Sequence, residues 1–298
     1  MWESTAAEPG PVKIRVRMYS RAQAWYNNPV TAGTCTWKED LMGKTVNFDL
    51  TGRVAVVTGA SRGLGVELAT SLAEYGADLA LMAGNEEKMK KVAEGIREKC
   101  GVKVMTVKVD ISDEASVQAA VSAVMDEYGK IDILVNNAGI IRYGRPEEIS
   151  AEDWRECLDV DVTGTWLMSK EVVNASMLEK GGRIINICSV NSFSASPAAV
   201  VHHVAKAAEA ALTKSCAAAW AGHGIYVNGI APGNMQNGEM APDTPPAILE
   251  NIRNKVPQRR LGQYGDLSGA LLFLASDANT YTQGTIIVCD GGLILESF

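Results

Sequence analysis

A glycine-rich turn is the segment of this 298-residue chain whose residue types point most directly to chemistry. It reads Thr58-Gly59-Ala60-Ser61-Arg62-Gly63-Leu64-Gly65, between a short apolar run and a stretch with helical spacing. Glycines so placed allow a tight turn, a close approach to a pyrophosphate and close packing of helix on strand. Free N–H groups and the positive dipole end of the helix favour an anion. The segment predicts a dinucleotide-binding turn, with a plain glycine turn as the alternative.

The elements that must position this turn follow an alternating pattern from Thr51 onward. Short apolar β-branched runs predict strands at Val54–Val57, Leu79–Met82, Val104–Lys108, Ile133–Val135, Arg183–Ile187, Ile225–Gly229 and Thr285–Val288. Stretches at helical spacing predict helices near Leu64–Tyr75, Glu86–Lys99, Ser112–Tyr128, Ala151–Leu178, Val200–Ala221, Ala247–Val256 and Gly265–Ala275. This alternation predicts an α/β fold, a doubly wound parallel (Rossmann) sheet of about seven strands with helices on both faces.

Residues 1–50 differ from the rest, because they contain three of the six tryptophans and show no sustained period of 2 or 3.6. We interpret them as an N-terminal extension before a single dinucleotide-binding catalytic domain at residues 51–298. Two alternatives stay open for the extension. It is either a partly disordered leader or an artefact of gene prediction, or an arm whose aromatic residues pack on a neighbouring subunit or on the mouth of the active site.

Composition excludes several classes of partner. Apolar residues make up 47% of the chain and charged residues 21%, which is typical of a globular protein. The net charge of -7 argues against nucleic acid or an anionic membrane as the main partner. No run approaches the roughly 18 apolar residues of a membrane span. The first residues lack the basic-then-apolar order of a secretory signal, so we expect a cytoplasmic protein.

Cysteine and histidine usage predicts no metal site. The three histidines are few, and the cysteines lie far apart without a C-x-x-C motif, so we expect reduced thiols. The six cysteines are Cys35, Cys100, Cys157, Cys188, Cys216 and Cys289.

The glycine turn resembles the T-G-x-x-x-G-x-G loop of the short-chain dehydrogenase/reductase family. Further family motifs follow in order after the predicted strands: Asp110-Ile111, Asn136-Asn137-Ala138-Gly139, Ser189, Lys206 on a helix, and Pro232-Gly233. The stretches NNAGIIR, IINICS and FLASDA are most similar to the branch that contains gluconate and deoxygluconate dehydrogenases. The resemblance covers residues 51–298 and implies an oxidoreductase acting on a small molecule.

The resemblance also implies which residues bind the dinucleotide. Asp110 and Ile111 would border the adenine, and Asn137, Ala138 and Gly139 would line the nicotinamide ribose. Pro232 and Gly233 would lie beside the nicotinamide amide, and Lys206 would hold its ribose.

The choice of dinucleotide depends on what meets the adenosine ribose. A carboxylate at the end of the second strand accepts from a free 2′-OH, whereas a cation pairs with a 2′-phosphate. The second strand ends at Ala83 without an acid, and Arg62 is available to a phosphate. We therefore expect NADP(H). NAD(H) stays as the alternative, because Arg62 can simply be solvated and Gly84 supplies no second cation.

The catalytic positions depart from the family pattern. The family uses a Tyr, a Lys four residues later, a Ser and an Asn; by resemblance Lys206 and Ser189 match. His202 stands at the Tyr position and Asp161 at the Asn position. An imidazole is already poised near neutral pH, and we expect Lys206 to lower its pKa and Asp161 to raise it. We hypothesise that Asp161 and His202 form a compensating pair, directly or through water. The alternative is loss of the proton donor with cofactor binding retained.

Three further segments bear on substrate and assembly. The stretch Asn234–Pro257 is rich in Pro, Asn and Met, which predicts a mobile substrate lid and, with Met235 and Met240, a partly apolar pocket. Arg142 and Tyr143 lie where they could contact a carboxylate or a hydroxyl, although a solvated Arg142 is an equal alternative. The Ala-rich stretch from 205 to 221 permits close helix packing; by resemblance it implies a homo-oligomer, a tetramer or a dimer, but it can also pack only within its own subunit.

We therefore predict an NADP(H)-dependent oxidoreductase that moves a hydride to or from a small secondary alcohol/ketone or imine, with His202 or a water supplying the proton. The first alternative is a repurposed relative that uses Asp161 and His202 for isomerisation, dehydration or cyclisation. The second is a dinucleotide-binding regulatory protein without turnover.

Overall fold

Seven parallel strands form the sheet against which the helices pack. The computed structural model describes residues 46–236 and 245–295. In these ranges the strands are β1 Val54–Thr58, β2 Asp78–Ala83, β3 Val104–Lys108, β4 Ile133–Asn136, β5 Gly182–Ile187, β6 Ile225–Pro232 and β7 Ile286–Cys289. Their order across the sheet is β3-β2-β1-β4-β5-β6-β7, with every neighbouring pair parallel. The predicted doubly wound α/β fold is confirmed.

Helices connect successive strands. In chain order they are α1 Leu64–Glu74, α2 Glu86–Cys100, α3 Glu114–Tyr128, α4 Ala151–Leu158, α5 Thr165–Val172, α6 Leu178–Lys180, α7 Val200–Trp220, α8 Pro246–Lys255 and α9 Ser268–Ala275. Single π-helical turns lie at Asp159–Gly164 and Val173–Met177, and short 3₁₀ turns at Val190–Ser192, Ala221–His223 and Leu293–Leu295.

Two apolar cores lie on the two faces of the sheet. One packs α1, α2 and α9 against the central strands, with Leu68 and Leu271 fully buried. The other packs α3, α5 and α7 on the opposite face, with Val121 and Met168 inside it. All five residues of β1 are buried, as expected for a strand covered on both faces.

Capping residues set the helix boundaries that the apolar pattern placed only approximately. The helix predicted from 112 begins at Glu114, because the Asp113 carboxylate accepts a hydrogen bond from the Ser116 N–H and so acts as its N-cap. It ends at Gly129, whose φ of 72° lies in the left-handed region.

The predicted helical stretch Ala151–Leu178 is helical from end to end, but it is not one regular α-helix. It is α4, α5 and α6 joined by two π-helical turns. At the first turn Gly164 packs closely on Ile111, since a Cβ atom added to Gly164 would lie 2.8 Å from the Ile111 side chain. The apolar pattern alone does not distinguish an i→i+5 turn from a regular helix.

Two predictions fall wholly or partly outside the described residues. The N-terminal extension lies outside them up to residue 45, and its boundary at residue 50 stays a prediction. The centre of the predicted lid, including Met240, lies outside them as well. The described part of that segment contains α8 and the buried Met235. Within residues 46–236 and 245–295, no helix has the length and apolarity of a membrane span.

Candidate active site at the carboxyl edge of the sheet

The glycine turn follows β1 at the edge where all the parallel strands end. Gly59 and Gly63 have φ values of 67° and 58°, which favour glycine. A Cβ atom on Gly59 would lie 2.8 Å from the Asn137 side-chain nitrogen and 2.9 Å from the Ala138 Cα atom. Glycine at this position therefore lets the turn approach the loop after β4.

Hydrogen bonds from the loop after β4 fix the two loops together. The Thr58 hydroxyl accepts from the backbone N–H groups of Asn137 and Ala138, at 2.9 Å and 3.0 Å. In return the Asn137 amide donates to the Thr58 carbonyl at 3.0 Å. Thr58 is the first residue of the glycine motif, and its hydroxyl connects the glycine turn to the loop after β4.

The N-terminus of α1 is open to an anion. No side chain caps it, so its first N–H groups have no side-chain acceptor. Ser61 is half-buried and Arg62 is exposed, and Arg62 forms no hydrogen bond or ion pair with any described residue. This end of the helix can therefore bind a phosphate group without losing an existing contact.

The remaining residues predicted to bind the dinucleotide lie at the same edge. The Asp110 carboxylate accepts from the backbone and hydroxyl of Ser112, which holds the turn after β3. Ile111 is buried against Gly164. After β6 ends at Pro232, Gly233 lies so close to Asp290 that a Cβ atom would be 2.7 Å from the Asp290 Cα atom.

Asp161 lies in the first π-helical turn and is fully buried. Its Oδ1 accepts a hydrogen bond from the Ile140 N–H at 2.8 Å, which anchors the loop that carries Gly139. Its Oδ2 has no hydrogen-bond partner among the described residues. Burial raises the pKa of Asp161, while Lys206 and the Ile140 N–H oppose that rise.

His202 lies in the first turn of α7 with 2% of its surface exposed. Its Nδ1 is 4.0 Å from Asp161 Oδ2 and has no hydrogen-bond partner in the described residues. Burial, followed by the positive charge of Lys206, lowers the pKa of His202 from 6.5 to about 4, against a hydrogen bond with the Ile140 backbone. At neutral pH the imidazole is therefore neutral.

Lys206 lies one turn further along α7 and is also buried. Its Nζ donates to the Ile187 carbonyl at 3.0 Å and lies 3.9 Å from Asp161 Oδ2. Burial alone would lower the pKa of Lys206, but Glu209 and Asp161 raise it overall, so the ammonium stays charged. The structure thus brings Asp161, His202 and Lys206 together.

Glu209 accepts a hydrogen bond from Lys206 Nζ at 2.8 Å and was not among the residues predicted from the sequence. A signal was present, because Glu209 is an acidic residue three positions after Lys206 in an alanine-rich helix. The Ile140 N–H and the Ile187 carbonyl were missed too, and backbone groups leave no signal in residue types.

Ser189 caps the 3₁₀ turn that follows β5, where its hydroxyl accepts from the Asn191 N–H at 3.1 Å. That turn is joined to α7, because the Ser192 hydroxyl donates to the Lys206 carbonyl at 2.8 Å. His203 Nδ1 lies 3.1 Å and 2.9 Å from the Asn191 and Ser194 carbonyls, respectively. His203 therefore ties this segment to α7.

Arg142 is held by two carboxylates of α4. Its guanidinium lies 3.2 Å from Asp153 and 2.6 Å from Glu156. A substrate carboxylate would have to compete with both groups, so the predicted substrate contact of Arg142 is not prepared in this conformation.

Comparison with known proteins decides the family. The family model described as "Enoyl-(Acyl carrier protein) reductase" matches residues 59–294. Gluconate 5-dehydrogenase of Gluconobacter oxydans (strain 621H) is 36% identical over 253 residues, which cover 84% of this chain and 97% of that protein. The chain belongs to the short-chain dehydrogenase/reductase family. At this level it is an oxidoreductase, as the sequence analysis predicted.

Two other similar proteins of this family extend the comparison. The 2-dehydro-3-deoxy-D-gluconate 5-dehydrogenase of Formosa agariphila is 36% identical and matches 83% of this chain and 94% of its own. The crystal structure of a gluconate 5-dehydrogenase from Burkholderia cenocepacia J2315, in complex with NADP and tartrate, has a TM-score of 0.79. That structure is 36% identical and covers 84% of this chain and 98% of its own. The predicted similarity to the gluconate dehydrogenase branch is confirmed.

Proposed function

We propose that this short-chain dehydrogenase/reductase oxidises a small secondary alcohol, of the hydroxy-acid or sugar-acid class, with NADP⁺, and reduces the corresponding ketone with NADPH. One observation carries the proposal. Asp161 Oδ2 lies within 4.0 Å of both His202 Nδ1 and Lys206 Nζ, in a buried cluster at the edge that carries the glycine turn. The substrate class is supported by relatives whose names include gluconate and deoxygluconate.

The residues present fit a dinucleotide. The uncapped N-terminus of α1 would hold the pyrophosphate, and the unpaired Arg62 would meet a 2′-phosphate. No carboxylate stands at Ala83 to repel that phosphate, and a similar structure was solved with NADP bound. When bound, the dinucleotide supplies or accepts the hydride, and handling of the proton falls to this chain.

His202 is the proposed general base for alcohol oxidation. A neutral imidazole is ready to accept the proton that leaves the substrate hydroxyl as its C–H hydride is transferred. The Asp161 carboxylate would then offset the charge that develops on the ring. In the reverse direction the imidazolium, which forms at acidic pH because the pKa of His202 is about 4, would return this proton to the ketone oxygen.

Lys206 and Ser189 complete the proposed machinery. The Lys206 ammonium would hold the nicotinamide ribose, and the Ser189 hydroxyl would orient the substrate oxygen. We also propose that the chain self-associates through α7. The small side chains of Ala207, Ala211 and Ser215, which are exposed along that helix, support this proposal.

The experiment follows absorbance at 340 nm with either dinucleotide. NADP⁺ is tested with D-gluconate and other sugar acids and hydroxy acids, and NADPH with ketones, diketones, keto-sugars and cyclic imines. His202→Ala should lose at least about a hundredfold in kcat, the usual contribution of a general base. His223→Ala is the matched control, because that imidazole is exposed in a turn and contacts the Leu178 carbonyl.

Two results would overturn the proposal. If His202→Ala keeps the wild-type rate, His202 does not move the proton. If the wild-type chain binds NADP⁺ but consumes neither dinucleotide with any compound of the panel, the site performs proton-transfer or ring-forming chemistry, or none.

A further inference from the structure

Glu209 is a buried carboxylate to which the proposed mechanism gives no role. It lies one turn after Lys206 on α7, with 1% of its surface exposed. Its Oε2 accepts from Lys206 Nζ at 2.8 Å, and its side chain also hydrogen-bonds with Thr165 on α5. The Thr213 hydroxyl donates to the Glu209 backbone carbonyl at 2.8 Å, which fixes this turn of the helix.

Few charged groups face Glu209. Along α7 it faces Lys206, and Asp161 approaches the same ammonium from the π-helical turn. The Cys188 thiol faces it from the residue after β5, and burial raises the pKa of this thiol to about 12, so it stays neutral. The His203 ring lies against the Asn191 and Ser194 carbonyls. The charge balance is thus set by Asp161, Lys206, Glu209 and His202.

This cluster contains one proton fewer than neutrality requires. With both carboxylates ionised, one ammonium and a neutral imidazole, the net charge would be negative in a buried place, which is unfavourable. Asp161, Glu209 or His202 can take the missing proton, since burial raises the pKa of both carboxylates. Burial raises the pKa of Glu209 to about 7, although Lys206 opposes the rise, so Glu209 changes its charge near neutral pH.

We propose that Glu209 is a positioning residue that holds the Lys206 ammonium against the Ile187 carbonyl, and that its charge controls how strongly Lys206 opposes protonation of His202. The inference rests on the proposed function, because His202 and Lys206 act there as base and ribose ligand. When Glu209 is ionised it offsets the charge of Lys206, and His202 accepts a proton more readily. When Glu209 is protonated that offset is lost, and His202 is a weaker base.

Two substitutions separate position from charge. Glu209→Gln keeps an oxygen that can accept from Lys206 Nζ but removes the negative charge. Glu209→Leu removes both. Glu67→Gln is the matched control, since Glu67 is a buried glutamate on α1 that accepts from the Gly265 N–H, away from this cluster.

The kinetic readout is the pH profile of alcohol oxidation. In the wild type, log kcat should rise through the titration of Glu209 near pH 7. Glu209→Gln should lack this rise and show about a tenfold lower kcat above it, with KM for NADP⁺ nearly unchanged. Glu209→Leu should also raise KM for NADP⁺, because Lys206 loses its anchor. Glu67→Gln should follow the wild type.

A second readout requires no turnover. The sequence has three histidines, so the imidazole signals of ¹⁵N-histidine-labelled protein can be assigned with His202→Ala. The His202 signal should show an inflection near pH 7 in the wild type and in Glu67→Gln, and none in Glu209→Gln. A wild-type His202 signal without that inflection would overturn the inference even in an active enzyme. If the inflection is present but no dinucleotide is consumed, the proposed function fails while the coupling stands.

Discussion

His202 and Glu209 lie on the same helix, and burial moves their pKa values in opposite directions. For His202 the pKa falls from 6.5 to about 4, so between these values the unfolded chain binds more protons, and stability decreases as the pH falls. For Glu209 the pKa rises from 4.5 to about 7, so the folded chain binds more protons, and stability decreases as the pH rises. The two contributions oppose each other between about pH 4.5 and 6.5.

Substituting either His202 or Glu209 should leave the pH dependence of stability that the other residue contributes. Relative to the wild type, Glu209→Gln should gain about 3 kcal/mol of unfolding free energy as the pH rises from below 5 to above 7. His202→Asn should show the opposite trend, gaining relative to the wild type as the pH falls from 6.5 to 4. Urea unfolding at a series of pH values measures both differences. Parallel profiles for the wild type and Glu209→Gln would contradict the raised pKa of Glu209.

Three residues of the candidate cluster were predicted from the sequence, but the electrostatics of the cluster were not. His202, Lys206 and Asp161 could be predicted because the resemblance supplied their positions. The resemblance gave no position for Glu209. Its hydrogen bond with Lys206 depends on how α7 packs against the end of β5. The gap of 4.0 Å between Asp161 and His202 is a result of packing, which residue types do not encode.

The π-helical turn at Asp159–Gly164 is the element that places Asp161 between α7 and the loop after β4. Such turns occur often at functional sites. Here Gly164 allows close contact with Ile111, so the wall predicted for the adenine and the turn that carries Asp161 share one contact. A displacement of the π-helical turn should therefore also displace Ile111.

Gly164→Ala tests this coupling. The added Cβ atom would meet Ile111 at 2.8 Å, so we expect a loss of about 1–3 kcal/mol in stability and weaker NADP⁺ binding. Gly95→Ala is the control, because it lies mid-helix on α2 with open space around it and should gain about 0.5–1 kcal/mol. Urea unfolding and titration calorimetry measure the two effects. Unchanged NADP⁺ affinity in Gly164→Ala would show that the adenine wall does not depend on this turn.

The strands and most helices could be predicted within a few residues, because the hydrophobic period and the capping residues are properties of the local sequence. The two π-helical turns within residues 151–178 could not, because residue types do not distinguish such turns from a regular helix. The end of β6 was also placed too early, since the sequence Ile230-Ala231-Pro232 continues the strand into a residue that lacks an N–H.

At the scale of the whole molecule, the two edges of the sheet differ. The carboxyl edge carries the glycine turn, Asp161 and His202. At the opposite edge an ion-pair network ties strand ends to the segment after α9: Arg53 and Arg183 lie 3.2 Å and 3.1 Å from Asp277. Partly exposed pairs of this kind contribute little stability each and are screened by salt. Charge changes at this edge should leave ligand binding intact.

Ligand-linked stability of the whole chain tests the cofactor without any substrate. A dinucleotide at a hundred times its Kd stabilises the folded chain by about 2.7 kcal/mol. For a domain of this size we expect a rise in Tm of about 5–10 °C.

NADP⁺ should raise Tm more than NAD⁺ does at equal concentration, and Arg62→Glu should reverse the order, because the carboxylate repels a 2′-phosphate. Lys180→Glu makes the same charge change at the end of α6, near the opposite edge, and should keep the wild-type order. If Arg62→Glu also keeps that order, Arg62 does not read the phosphate, and the preference for NADP⁺ would have to come from another cation near the end of β2.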